Sequence, residues 1–444
     1  MGKISDSVNG EQSLRKCVWI ENEMNDMNMT ALTLCACDLK EGLDRSRLAH
    51  AWKLCQQRHP NLRTNIINDC VCEAKHNSLP IFIDNGNVDD LFVQYTNEVV
   101  CLNRDPAPND LIVIINDNRM YIMIRMLHSL TDGTSLSIII NDLLTFYDTN
   151  PLQVESLPFL MDPLTIEDPN GRLKESVEYK NEVTKYYAER KQFTVLMPFD
   201  RSEYYPSHST TSGIIRAQGT PGGLKNLLRE CRSSGLTIGA VLMATVTFAL
   251  GKIRKSSDLD TFSFDVEVNL RDRFTNKLGT DHVGCLIGGF PMAPKPAPHE
   301  TLWDLAKNLR EKTMNNIDRK LHFIYSIIYG EFPWEAEEFQ QLEDDNHGFS
   351  DTLNFSNIGV YPFKTNYKLC SLVEQYTSGA RWIPWFGAYA LLFNSVNELC
   401  FTMMYPDVSS MNADYAKTFL DDVIYVTENI STMKHQTLEQ YVDK

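Results

Sequence analysis

The stretch Tyr121-Ile-Met-Ile-Arg-Met-Leu-His-Ser-Leu-Thr-Asp-Gly-Thr-Ser-Leu-Ser-Ile-Ile-Ile-Asn-Asp-Leu-Leu-Thr-Phe-Tyr147 decides how this chain folds. From Tyr121 to Leu127 the residues are apolar apart from Arg125, the pattern of a strand buried on both faces. The run ends at His128, and Asp132 and Gly133 follow four and five residues later. Leu136, Ile139, Ile140, Leu143, Leu144 and Tyr147 then recur at helical spacing. A histidine is thus delivered at a strand end where the chain turns into a helix. That place suits chemistry, because a buried strand fixes the backbone while the loop beyond it opens toward a substrate. An isolated histidine at such a place is otherwise a satisfied structural residue, and the motif alone leaves both readings standing. Asp132 can lock the loop by pairing with an arginine, and Gly133 is expected to supply a positive φ at the sharp turn.

Outward from this stretch the apolar period alternates between strand and helix, which predicts a mixed α/β fold. Strands are expected at Thr30 to Leu34, Leu111 to Ile115, Thr261 to Asn269, Thr352 to Ile358, Ala388 to Phe393 and Leu399 to Tyr405. Helices are expected at Ser46 to Arg58, Ser135 to Tyr147, Glu175 to Gln192, Gly223 to Cys231, Ile238 to Ile253, Leu302 to Asp318 and Ala413 to Thr427. The segment from Thr149 to about Arg172 is rich in Pro, Asp and Asn and has neither period, so it marks a linker. It divides the chain into 1–172 and 173–444.

The chain has 444 residues, with 42 Lys+Arg against 58 Asp+Glu and a net charge of −16. A field of that sign repels phosphates and excludes a bare nucleic-acid binder. The uncharged stretch from Ser233 to Gly251 has the length of a membrane span, but its Ser, Thr and Gly content marks a buried helix and predicts no membrane span. The beginning of the chain carries no apolar leader, so a cytoplasmic protein is expected. Eleven cysteines, an odd number, suit reduced thiols packed as small hydrophobes. Neither Cys35-x-Cys37 nor Cys70-x-Cys72 has a second pair at zinc-site spacing, and no metal is expected. Signatures for a phosphate loop, a dinucleotide fold, a serine-hydrolase elbow and a zinc protease are all missing.

Residues 128–133 resemble the His-x-x-x-Asp-Gly signature of the acyltransferase superfamily that includes chloramphenicol acetyltransferase, plant acyl-CoA-dependent acyltransferases, nonribosomal peptide condensation domains and fungal alcohol acetyltransferases. Two further stretches carry the resemblance. Leu48 to Thr64, ending Arg-His-Pro-Asn-Leu-Arg-Thr, is similar to the family's first helix, and Asp265-Val-Glu-Val-Asn-Leu-Arg271 is similar to the Asn-Leu-Arg strand of the alcohol acetyltransferase branch. Leu127 stands where condensation domains usually place a second histidine, and the Asp-Phe-Gly-Trp-Gly element of the plant branch is missing.

The resemblance implies two chloramphenicol-acetyltransferase-like halves with an active-site tunnel between them. It implies His128 as general base, Asp132 as structural partner of Arg271, and Gly133 as the turn of the loop. Arg125 and Arg58 are alternative partners of Asp132. Ser356 or Asn357, in a strand similar to one that passes the family's active site, is implied as donor to the oxyanion. The aromatic residues Trp382, Trp385 and Phe386 either line an apolar acceptor pocket or pack a core. The implied activity, of the kind found in secondary metabolism, is O-acyl transfer, with no bound cofactor, from acyl-CoA, acetyl-CoA in the simplest case, to a hydrophobic alcohol such as a terpenoid or fatty alcohol. Amide formation, a carrier-protein donor, or a non-catalytic member that binds a lipid or carrier are the alternatives. Since the tunnel would lie within one chain, a monomer is expected.

Overall fold

A computed structural model describes residues 7–8, 11–102, 106–191, 211–259, 262–279, 281–331, 333, 336–337, 341, 351–379, 389–407 and 411–444. In chain order its strands are β1 (Ser7–Val8), β2 (Glu11–Lys16), β3 (Thr30–Leu39), β4 (Thr64–Ile67), β5 (Cys70–Glu73), β6 (Ile81–Asp84), β7 (Asp110–Asn116), β8 (Arg119–Leu127), β9 (Ser212–Gln218), β10 (Phe264–Asn269), β11 (Ile287–Met292), β12 (Leu353–Val360), β13 (Cys370–Ser378), β14 (Tyr389–Ser395) and β15 (Leu399–Pro406). The helices that matter here are α1 (Trp19–Asp26), α2 (Arg45–Arg58), α3 (Val88–Asn97) and α4 (Gly133–Thr149), followed in the second unit by α5 (Val177–Arg190), α6 (Gly223–Ser233), α7 (Ile238–Arg254) and α8 (Leu302–Asp318). This is a mixed α/β fold divided into two units, each built around its own sheet.

The first unit comprises Met1–Pro169, Asn269–Ile287 and Ile358–Arg381. Its main sheet has the order β13-β3-β8-β7-β6. β8 lies inside this sheet, antiparallel to β3 on one side and to β7 on the other, so both its faces and both its edges are covered. That is why its side chains can be apolar almost without interruption: Ile122, Met123, Ile124, Met126 and Leu127 are all fully buried. Arg125, the exception, is neutralised by Asp110 at 2.6 Å and Glu98 at 2.7 Å. α4 buries Leu136, Ile139, Ile140, Leu143, Leu144 and Tyr147, packs against α2, and stops where Asn150 turns left-handed at φ 50°.

The second unit comprises Asn170–Val268, Gly288–Asn357 and Trp382–Lys444. Its sheet has the order β11-β10-β12-β14-β15-β9. β10 and β12 run parallel, with Asp265 beside Asn354. Phe264, Val266 and Val268 join Phe355 and the residues of α7 in one apolar core, so by alternation Asp265 and Glu267 occupy the other face of β10. α7 is buried continuously from Ala240 to Gly251, as expected for the uncharged stretch, although that stretch is broken by a turn after Ser233. No single helix among the described residues is long and apolar enough to cross a membrane.

The structure differs from the sequence expectations in two places and adds one strand that they lack. The boundary at 172 lies close to the end of the first segment, but the halves are not contiguous: 269–287 and 358–381 return to the first unit. The 358–381 segment returns because β13 supplies the edge strand beside β3, and 269–287 returns with Arg271, which pairs with Asp132. β13 itself escaped the apolar pattern, since Ser371, Glu374, Gln375, Thr377 and Ser378 interrupt it. Finally, the expected strand from Thr261 begins at Phe264, and Thr261 and Ala388 lie outside the described residues. None of the eleven cysteines is joined in a disulfide, and no group of three or more His, Cys, Asp or Glu placed to hold a metal ion occurs among the described residues.

Glu267 yields a stability test. Burial pushes its carboxyl up to about 7, against the opposing hydrogen bond from the Asn354 amide. A folded-state value raised above the ordinary carboxylate range means that the native protein holds a proton the unfolded chain has lost, so this group's contribution falls as pH rises from about 4.3 to 7. Glu267→Gln should therefore raise the melting temperature at pH 8 and change it little at pH 4. Equal shifts at both pH values would show that ionisation of Glu267 does not weaken the fold.

Candidate active site

β8 ends at Leu127, and His128 opens a single 3₁₀ turn that ends at Leu130. The strand register carries into this turn through the His128 amide, which donates to the Met29 carbonyl at 3.0 Å. Side chains from two other elements hold the rest: Ser129 Oγ donates to Asn25 Oδ1 of α1 at 2.7 Å, and Asn61 Nδ2 donates to the Leu130 carbonyl at 2.9 Å. Ser129 is thus spent on α1, and it sits in a turn rather than in the alternating register of a strand. The imidazole of His128 is half-buried. Its Nδ1 atom is buried with no partner on another residue, and its own backbone carbonyl supplies the only hydrogen-bonding influence on the ring. Burial lowers the ring's pKa from its ordinary value, while that carbonyl and the charge of Asp132 oppose the shift. The shift favours the neutral, basic form of the ring.

Asp132 is 1% exposed and caps the N-terminus of α4, accepting from the Ser135 amide at 2.7 Å. Arg271 grips the same carboxylate with both terminal nitrogens, Nη1 to Oδ2 at 2.9 Å and Nη2 to Oδ1 at 3.2 Å. The Leu286 amide adds a bond to Oδ2 at 2.8 Å. Arg271, 5% exposed, also donates to Ser135 Oγ at 2.8 Å, to the His282 carbonyl at 3.1 Å and to Asn269 Oδ1 at 3.3 Å. Ser135 Oγ exchanges bonds with the backbone of Gly284. One buried ion pair thus ties the His128–Gly133 loop, the start of α4, the end of β10 and the 282–286 loop into a single polar cluster.

The alternative partners are occupied elsewhere: Arg125 by Asp110 and Glu98, Arg58 by Asp142 at 2.8 Å and Asp281 at 3.2 Å. Gly133 does not adopt the expected positive φ; it opens α4 as an ordinary helical residue. Its need for glycine is steric, because a Cβ there would stand 2.7 Å from Cγ1 of Ile358. Ser356 and Asn357 belong to β12 in the second unit and take no part in the Asp132 cluster. Trp382, Trp385 and Phe386 lie outside the described residues. The sequence reading missed Ser135, His282, Gly284 and Leu286, since backbone groups leave no residue-type signal. Ser135 alone could have been found, three residues after an N-cap aspartate.

A family model described as the condensation domain matches residues 13–342, and the chain belongs to this family of acyltransferases. It is 24% identical over 263 residues to nonribosomal peptide synthetase 1 of Aspergillus fumigatus, a match covering 56% of this chain and 4% of that protein. Among solved structures it is similar to polyketide synthase associated protein 5 from Mycobacterium tuberculosis, at 11% identity and a TM-score of 0.69, covering 94% of this chain and 98% of that one. It is also similar to the first condensation domain of the calcium-dependent antibiotic synthetase in complex with a substrate analogue, at 12% identity and a TM-score of 0.70, covering 96% and 98%. At such identities the likeness establishes the fold alone. These relatives are condensation domains and a polyketide synthase associated protein, whereas the sequence looked most like the alcohol acetyltransferase branch.

The ion pair predicts a sharp mutational asymmetry. Asp132→Ala strands a buried guanidinium and should destabilise the first unit by about 3 to 5 kcal/mol. Asp132→Asn keeps the cap and loses the charge, so it should fall between wild type and alanine. Combining Asp132→Ala with Arg271→Met should cost clearly less than the sum of the single changes in urea melts. Additive costs would show that the pair is not energetically coupled.

Proposed function

We propose that this chain transfers an acyl group from a thioester to a nucleophilic acceptor, with His128 as the general base. The observation that carries this reading is a half-buried imidazole at a strand end whose loop is seated by a buried aspartate–arginine pair, and burial favours its neutral form. With Nδ1 turned into the protein, Nε2 is the basic atom. It takes the proton from the acceptor's O–H or N–H as that atom attacks the thioester carbonyl. Collapse of the tetrahedral intermediate breaks the carbon–sulfur bond, and the imidazolium returns the proton to the departing thiolate. The products are an ester or amide and a free thiol, with no acyl-enzyme formed.

Ser356 and Asn357 carry over from the resemblance as candidate oxyanion donors. Loss of such a donor costs about 10²- to 10³-fold in turnover. Membership of the condensation-domain family supports a donor thioester presented on a carrier protein. The Asn269-Leu270-Arg271 stretch supports a second reading, O-acylation of an apolar alcohol by acyl-CoA, with Trp382, Trp385 and Phe386 assigned to the acceptor pocket. Both readings use the same base, and neither requires a second copy of the chain.

Thiol release from acyl thioesters of CoA, N-acetylcysteamine and a carrier protein, each against apolar alcohols and amines, decides between these donors and acceptors. His128→Ala should lower turnover at least about 100-fold while leaving the melting temperature within a few degrees. In wild type, kcat/KM should be level at neutral pH and fall on the acid side, with a midpoint below the ordinary histidine value of about 6.5. A variant that retains most of its transfer, or a stable acyl adduct in intact mass spectra that added acceptor discharges, would overturn the general-base mechanism in favour of covalent catalysis.

A further inference from the structure

A second polar chain, built from side chains of α4, β3 and β13, is not used by the mechanism above. Its centre is Gln375 of β13, 1% exposed. Pairing of β13 with β3 shifts register between Leu372 and Glu374, so Leu372 lies opposite Cys37 and Gln375 lies opposite Cys35. Without that bulge, strand alternation would place Leu372 and Gln375 on opposite faces. With it, both occupy the face that carries Thr33, Cys35 and Cys37, and the Gln375 amide is aimed into the interior.

The donors and acceptors there resolve into one consistent direction. Gln375 Nε2 donates to Ser137 Oγ at 2.9 Å and to Thr33 Oγ1 at 3.3 Å, which uses both its protons. Thr33 Oγ1 passes its own proton to the Tyr376 carbonyl at 3.0 Å. Ser137 Oγ has one proton and two acceptors in reach, the Gly133 carbonyl at 3.1 Å and Gln375 Oε1 at 3.3 Å. Because Ser137 already accepts from the amide, its proton goes to the shorter contact, the Gly133 carbonyl. Gly133 is the last residue of the His128 loop, and a Cβ there is refused by Ile358. The loop's exit is therefore gripped through its carbonyl by Ser137, one residue beyond the carboxylate that Arg271 grips.

We propose that Gln375 is a positioning residue for acyl transfer, acting through Ser137 on the Gly133 peptide to set the seat of His128. The assignment rests on the general-base reading of His128. The chemistry asks for a second anchor because a misplacement of about 1 Å at a reacting group can cost about 10²-fold in rate. Arg271 fixes the loop at Asp132; the Gln375 relay fixes the following peptide, so the loop cannot pivot about the ion pair.

Gln375→Glu preserves shape but reverses the relay: an ionised carboxylate accepts the Ser137 proton and takes it from Gly133. Ser137→Ala removes the relay with little change in volume and covers the case in which the buried carboxylate prevents folding. Ser137→Thr keeps a hydroxyl and is the rescue. Two readouts are taken: kcat and KM with the thioester and acceptor that wild type turns over, and the ¹⁵N imidazole titration of His128 without substrate. Gln375→Glu and Ser137→Ala should each lower kcat about tenfold with KM within twofold, and shift the His128 titration. Ser137→Thr should stay within about threefold of wild type, and the double variant should be no worse than Ser137→Ala. A rise in KM with kcat unchanged, additive losses, or a His128 titration identical to wild type would overturn the proposal. Should wild type transfer no acyl group at all, the general-base reading fails, and the imidazole titration still decides whether the relay sets the ring.

Discussion

The bidentate pair between Asp132 and Arg271 is the interaction on which the rest of the site depends. A carboxylate 1% exposed and a guanidinium 5% exposed would each be prohibitive alone. Together they satisfy the N-terminus of α4, two loop amides or carbonyls and the end of β10. The pair converts a turn of six residues, from His128 to Gly133, into a rigid seat. It also accounts for the return of 269–287 to the first unit, since Arg271 cannot leave without exposing a buried charge.

The electrostatics follow from the same arrangement. Asp132 spends its carboxylate on Arg271 and on backbone amides, so it acts on His128 through its charge and not through a bond. A histidine directly bonded to an aspartate is held as the imidazolium more readily. Here burial is the largest influence and favours the neutral base, the form that accepts a proton.

Much of this was legible in the amino-acid sequence, and the limits are physical. β8 and α4 announced themselves through long apolar runs with clean periods, and their boundaries fall within two residues of the expected ones. The pairing of Asp132 with Arg271, 139 positions apart, could come only from family resemblance, because no periodicity links residues so distant. Gly133 was singled out for the wrong reason: backbone conformation was assumed where close packing against Ile358 is the constraint. β13 stayed invisible because an edge strand rich in polar side chains has no apolar signature, and its bulge, which aims Gln375 inward, leaves none either. The discontinuous units were likewise hidden, since strand pairing between remote segments is a tertiary choice.

The central claim is that His128 is a neutral base with Nε2 unprotonated, held so by burial and by its seat. Selective ¹⁵N labelling of histidine, with His128 assigned by its absence in His128→Ala, reports the protonation of each ring nitrogen directly. At pH 7 the account predicts a neutral ring protonated at Nδ1 and a titration midpoint below that of an exposed histidine. An imidazolium at pH 7, or a neutral ring carrying its proton on Nε2, would contradict it.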